Sequence, residues 1–141
     1  MKIGLTGVFV SDQDKALRFY TEILGFVKKL DFPAGKFKWL TVVSPEEPEG
    51  TQLVLEPYDW KNPAAKTYQK ALFEQSIPAA SFFVEDIQKE YAWLKDLGVV
   101  FTMTPTKTTG SIIAVLDDTC GNLIQLTQLT WDMNKSGRAT S

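Results

Sequence analysis

Val84-Glu85-Asp86-Ile87-Gln88-Lys89-Glu90-Tyr91-Ala92-Trp93-Leu94-Lys95-Asp96-Leu97-Gly98-Val99 contains five signals in order. They are a strand end, an acidic helix start, an amphipathic helix, a glycine stop and a new strand. Ile87, Tyr91, Leu94 and Leu97 recur at the spacing of one helix face, which leaves Trp93 off the apolar stripe. Glu85 or Asp86 suits the N-cap, and Gly98 suits the stop. The same grammar appears upstream in Val10-Ser11-Asp12-Gln13-Asp14-Lys15-Ala16-Leu17-Arg18-Phe19-Tyr20-Thr21-Glu22-Ile23-Leu24-Gly25-Phe26. There Ser11 or Asp12 caps the helix, and Ala16, Leu17, Tyr20, Ile23 and Leu24 form its apolar stripe. In both copies an apolar strand precedes the helix and short apolar strands follow it, so the chain reads as a duplication.

Outward from these helices the modules fill in. Lys2 to Val10 is a strand in which Gly4 and Gly7 let something approach the backbone. Phe26 to Leu30, Phe37 to Val43 and Gln52 to Glu56 supply three more strands, with a turn at Pro33-Ala34-Gly35 and another from Ser44 to Gly50. Asn62-Pro63 opens a short linker helix with Ala65, Tyr68, Ala71 and Leu72 on its apolar side. Pro78 to Val84, Val99 to Met103, Ser111 to Leu116 and Asn122 to Thr127 complete the second set, with Asp117 to Gly121 read as a turn. The expected fold is α+β: two tandem βαβββ modules form a curved mixed sheet, or cup, with helices on its outer face. The expected divisions are 2–56, a linker over 57–78, 79–128, and a polar tail over 129–141. Strand alternation turns Leu53, Leu55, Ile124 and Leu126 toward the helices. It turns Gln52, Val54, Glu56, Leu123, Gln125 and Thr127 into the cup.

Composition narrows the function. The chain of 141 residues is 44% hydrophobic and has nine Phe, enough for a core, and its formal net charge is -2. No basic run marks a nucleic acid or membrane partner, and neither a signal peptide nor a membrane span is expected. Cys120 is the only cysteine, which fits a reducing, cytoplasmic setting. With two Asp beside it and no basic neighbour it reads as structural. The chain has no His, which removes the commonest acid–base side chain and metal ligand. The acidic pairs Asp12/Asp14 and Glu85/Asp86 stand at helix starts, where they cap.

Several stretches resemble one family. Val8-Phe9-Val10-Ser11-Asp12, Ala16-Leu17-Arg18-Phe19-Tyr20 and Leu24-Gly25-Phe26 resemble the opening of the glyoxalase/bleomycin-resistance/extradiol-dioxygenase (vicinal oxygen chelate) superfamily. Asp117-Asp118-Thr119-Cys120-Gly121-Asn122-Leu123-Ile124-Gln125-Leu126 is similar to that family's Asp-Pro-x-Gly-Asn-x-x-Glu-Leu ending. The resemblance runs over roughly residues 2 to 128. It implies a homodimer as the working form. It also implies that metal-using members take ligands from four inward strand positions, occupied here by Leu5, Glu56, Ala79 and Gln125. Leu5 and Ala79 have no donor, and Gln125 stands where a Glu is usual, so the metal site is expected to be degenerate and no cofactor is expected.

The reading that follows is a metal-free small-molecule-binding protein, for an antibiotic or other aromatic compound, with Glu56 and Gln125 polarising an apolar cup. Leu5, Phe9, Trp39, Gln52, Val54, Glu56, Trp60, Ala79, Ser81, Gln125 and Thr127 are its candidate ligand-binding residues. Phe9, Phe37, Trp39 and Phe83 offer stacking surfaces, and Trp60 is either a rim lid or a dimer contact. One alternative is a glyoxalase- or dioxygenase-like lyase, isomerase or oxygenase. In it Glu56 is the catalytic base, or a divalent metal ligand assisted by substrate oxygens. A second alternative is a degenerate interaction domain whose cup is filled by its own side chains.

Overall fold

The computed structural model describes residues 1–58 and 63–131. Its strands pair into two four-stranded sheets of identical topology, one per module. The first contains β1 (Leu5–Val10), β2 (Val27–Ala34), β3 (Phe37–Val43) and β4 (Gln52–Pro57) in the order β1-β4-β3-β2. The second contains β5 (Ala80–Phe83), β6 (Phe101–Thr108), β7 (Ser111–Asp117) and β8 (Leu123–Leu129) in the order β5-β8-β7-β6. β1 runs parallel to β4 and β5 parallel to β8, while β2–β3, β3–β4 and β6–β7 are antiparallel. Compactness divides the chain differently from sequence order. Met1–Ala79 and the short segment Asp118–Leu123 form one unit, and Ala80–Asp117 with the chain from Ile124 forms the other. Residues 132–141 of the expected tail lie outside the described residues, and β8 itself continues through Leu129.

Three helices accompany the sheets: α1 (Gln13–Arg18), α2 (Ala64–Glu74) and α3 (Ile87–Asp96). Asp12 and Asp86 cap α1 and α3, their carboxylates accepting from Lys15 N at 3.0 Å and Lys89 N at 3.2 Å. α1 packs on β4, and α3 on β6 and β7. Among the described residues no helix is long and apolar enough to cross a membrane.

The helical stripes depart from simple periodicity. α1 widens into a π-helical turn over Phe19–Ile23, which brings the adjacent Phe19 and Tyr20 into the core together. Their rings meet edge to face at 5.7 Å. Regular helical spacing had selected Tyr20 but not Phe19. In α2 the expected apolar side chain Tyr68 is 58% exposed, and Gln69 is the buried residue. Leu97, the last residue of the α3 stripe, lies at the C-cap and is 43% exposed. Trp93, off that stripe, is exposed as its position predicts. β2 continues through Pro33, read from sequence as a turn, because an edge strand tolerates a residue with no N–H to donate.

The segment Asp117 to Gly121 is more than a turn. Asp118 is fully buried. Its Oδ2 accepts from Tyr20 Oη at 2.7 Å and Asn122 Nδ2 at 2.7 Å. Its Oδ1 accepts from the backbone N–H of Cys120 at 2.8 Å and of Asn122 at 2.9 Å. A carboxylate out of water is tolerable only when its lone pairs are filled in this way. Burial, reinforced by the Asp118 charge, holds the Tyr20 phenol well above its usual range. The same two causes push the buried Cys120 thiol up to about 11, the proton-bound state of an inert cysteine.

Two consequences can be measured by chemical denaturation. Asp118→Ala, which strands a buried phenol and two backbone N–H groups, should cost about 3–5 kcal/mol. Tyr20→Phe, which leaves the carboxylate three donors, should cost only about 1.5–3 kcal/mol. Because folding raises the Cys120 and Tyr20 values, stability should be intact below pH 9 and fall as the pH rises through about 11. Cys120→Ala should flatten part of that fall.

Candidate functional site

The parallel register of β1 and β4 pairs Leu5 with Gln52, Gly7 with Val54 and Phe9 with Glu56, so these six residues share one face of the first sheet. Val8, Val10, Leu53 and Leu55 are buried on the alternate positions. Beside Phe9, Val54 and Glu56 opens a cavity of about 580 Å³. Among the described residues four aromatics line it: Phe9 from β1, Phe37 and Trp39 from β3, and Tyr68 from α2. Ala34, Pro57, Ala64 and Ala65 continue the apolar wall. Its charged members among the described residues are Lys38 and Glu56. The Lys38 ammonium lies 3.4 Å from the Asp14 carboxylate. Among the described residues no hydrogen bond or ion pair occupies the half-buried Glu56 carboxylate.

Two glutamines position these walls. β3 and β4 pair only at Thr41–Val54 and Val42–Leu53. Beyond that point the Gln13 amide takes over. Its Nε2 donates to Lys38 O at 2.8 Å and Leu55 O at 3.0 Å, and its Oε1 accepts from Lys38 N at 3.0 Å. The side chain thus replaces ladder bonds where the strands carry Lys38, Trp39, Leu55 and Glu56 to the cavity. On the other wall, Gln69 Nε2 lies within donating distance of Phe9 O (2.8 Å), Asn122 Oδ1 (3.0 Å) and Cys120 O (3.1 Å). Asn122 Nδ2 reaches the same Phe9 carbonyl at 2.7 Å. Phe9 is therefore clamped at its backbone while its ring faces the cavity, and α2 is anchored one residue beyond Tyr68. Gly121 makes the clamp fit. Its φ is +100°, and a Cβ there would stand 2.6–2.8 Å from the Gln69 amide.

Of the residues singled out from sequence, Phe9, Trp39, Val54 and Glu56 line this cavity together. Leu5, 50% exposed, and Gln52 share the face but lie outside the lining. Ala79 pairs through its N–H with Leu123 O. Ser81, Gln125 and Thr127 form a separate polar cluster in the second unit. There Ser81 Oγ and Thr127 Oγ1 are 2.9 Å apart, and Gln125 Nε2 donates to Thr127 Oγ1 at 3.0 Å. Trp60 lies outside the described residues. Gln13, Gln69 and Asn122 were not selected as site residues, because nothing in their local sequence says which distant carbonyl they reach.

The donor chemistry can be set against the metal that the resemblance implies. On the first sheet's face Leu5 is a hydrocarbon and Gly7 has no side chain. The Gln52 amide oxygen already accepts from Thr41 Oγ1 at 2.7 Å. Glu56 is the one carboxylate on that face. Among the described residues no three His, Cys, Asp or Glu side chains gather into a group able to hold an ion. That donor set does not fit a protein-held zinc, which takes about three protein ligands, or calcium, which takes about six to eight oxygens.

Comparison with known proteins gives a consistent assignment. A Bacillus subtilis (strain 168) relative, Uncharacterized protein YurT, is 59% identical over 128 residues, covering 91% of this chain and 99% of its own. A Probable lactoylglutathione lyase of Synechocystis is 31% identical over 127 residues, covering 87% of this chain and 92% of its own. Among solved structures, the antibiotic binding protein TnmS3 from Streptomyces sp. CB03234 superimposes with a TM-score of 0.72 at 29% identity, covering 92% of this chain and 97% of its own. Residues 2–126 match the Glyoxalase/Bleomycin resistance protein/Dioxygenase superfamily profile, and the chain belongs to that superfamily.

Proposed function

We propose that this protein binds an aromatic small molecule, of the kind that includes antibiotics, in the cavity of its first unit, without a protein-held metal and without turnover. The observation that carries the reading is the cavity itself. Its volume of about 580 Å³ suits a compact organic ligand. Among the described residues four aromatics supply flat apolar contact, and the Glu56 carboxylate is left to a polar group of the ligand. The likeness to the antibiotic binding protein TnmS3 supports the same class of ligand. The reading includes a homodimer in the cytoplasm. Exposed Leu5 and Phe32 in the first unit and Phe83 in the second give a partner copy apolar surface to cover.

A second reading is favoured by the 31% identity to a probable lactoylglutathione lyase. In it Glu56 removes a proton from carbon next to a carbonyl of the bound molecule. Titration with a panel of aromatic antibiotics, followed by tryptophan fluorescence, separates the two. The binding reading predicts saturable one-to-one quenching, about tenfold weaker binding in Trp39→Ala, and recovery of the ligand unchanged by mass spectrometry. Conversion of the ligand that disappears in Glu56→Gln, with binding retained, would transfer the protein to the second reading.

A further inference from the structure

Gly7 stands in the middle of β1 with an ordinary negative φ, so its backbone conformation does not require glycine. Glycine within a strand sacrifices side-chain packing, and its service here is the space it leaves. The point where a Cβ on residue 7 would stand is 3.6 Å from Glu56 Oε2 and 3.4 Å from the Val54 carbonyl oxygen. Val54 Cβ lies 3.5 Å away, and Gly7 itself is exposed, so the space is open to solvent. The missing side chain thus leaves a niche bordered by two oxygens, one on a carboxylate that no described residue engages. Among the described residues Lys38 is the cation of the cavity wall, and its ammonium lies 3.4 Å from the Asp14 carboxylate.

From this juxtaposition we infer that Gly7 and Glu56 form a subsite for a positively charged, N–H-bearing group, and that the ligand is an aromatic cation. The inference rests on the reading of the neighbouring cavity as the ligand site and names the ligand class. The ring system of such a ligand lies against the Phe9, Trp39 and Tyr68 side of the cavity. Its ammonium or amidinium group enters the niche and donates to Glu56, beside the Val54 carbonyl. Gly7 is then a specificity-determining residue, because a methyl at that position occupies the space the cation needs.

The test uses two tricyclic probes of similar shape, cationic 9-aminoacridine and neutral acridone, titrated into wild-type, Gly7→Ala and Glu56→Gln protein. The added methyl of Gly7→Ala meets neighbours at ordinary contact distances, so urea midpoints and circular dichroism should match the wild type. The expected result is at least tenfold tighter binding of 9-aminoacridine by the wild type. That preference should be lost in both variants, and in Gly7→Ala the acridone affinity should change less than twofold. Equal binding of the two probes by the wild type, or an undiminished preference in Gly7→Ala, overturns the subsite while the cavity reading stands. Failure of both probes to bind the wild type overturns the cavity reading, and the subsite with it.

Discussion

The buried Asp118 carboxylate is the constraint on which the first unit depends. Its four hydrogen bonds shape the 118–122 segment and fasten it to Tyr20 at the π-helical turn. With that segment in place, Asn122 is presented to the Phe9 carbonyl, and Gln69 closes on the same carbonyl from α2. Phe9, Tyr68 and the first turn of α2 then stand where they wall the cavity. The polar network touches no ligand space itself. Its effect is to hold apolar side chains in one geometry, which a purely hydrophobic contact would leave freer to slide. The cost is borne by buried polar groups, each of which must find its partner. Among the described residues no buried side-chain nitrogen or oxygen lacks one.

Under the proposed reading, a few positions of the first sheet turn a scaffold that hosts several chemistries to ligand binding. Leu5 puts a hydrocarbon where the family resemblance implies a ligand, and Gly7 puts empty space beside Glu56. Gln13 separates β3 from β4 by satisfying their backbone groups with a side-chain amide, so the opening between them needs no unpaired carbonyl. A carboxylate in an aromatic-walled recess is suited to recognise a cation and poorly equipped to hold a divalent metal.

Much of the scaffold was legible from sequence because its signals are local. Asp12 and Asp86 announce their helices through caps made within three residues, and Gly25 and Gly98 end them at positive φ. Strand alternation put Val54 and Glu56 on one face and both line the cavity, but Leu55, which alternation turned toward the helices, lines it too, and Gln52 does not. The failures have a common physical origin. The bond from Tyr20 to Asp118 joins residues 98 apart in sequence, so two stretches quoted for family resemblance gave no sign that they touch. Gln69, not among the apolar residues of its helix, finds its partners in groups that only the folded chain brings near. The π-helical turn altered the phase of α1 after Arg18, and the edge position of β2 excused Pro33. None of these follows from periodicity.

The most direct test of a metal-free site is calorimetric titration of chelator-treated protein with Ni²⁺, Zn²⁺, Mn²⁺ and Fe²⁺. No stoichiometric binding is expected at micromolar concentration, and no change when Glu56 is replaced by Ala. One-to-one binding of micromolar affinity or tighter that disappears in Glu56→Ala would contradict a metal-free site and place the protein among the metalloenzymes.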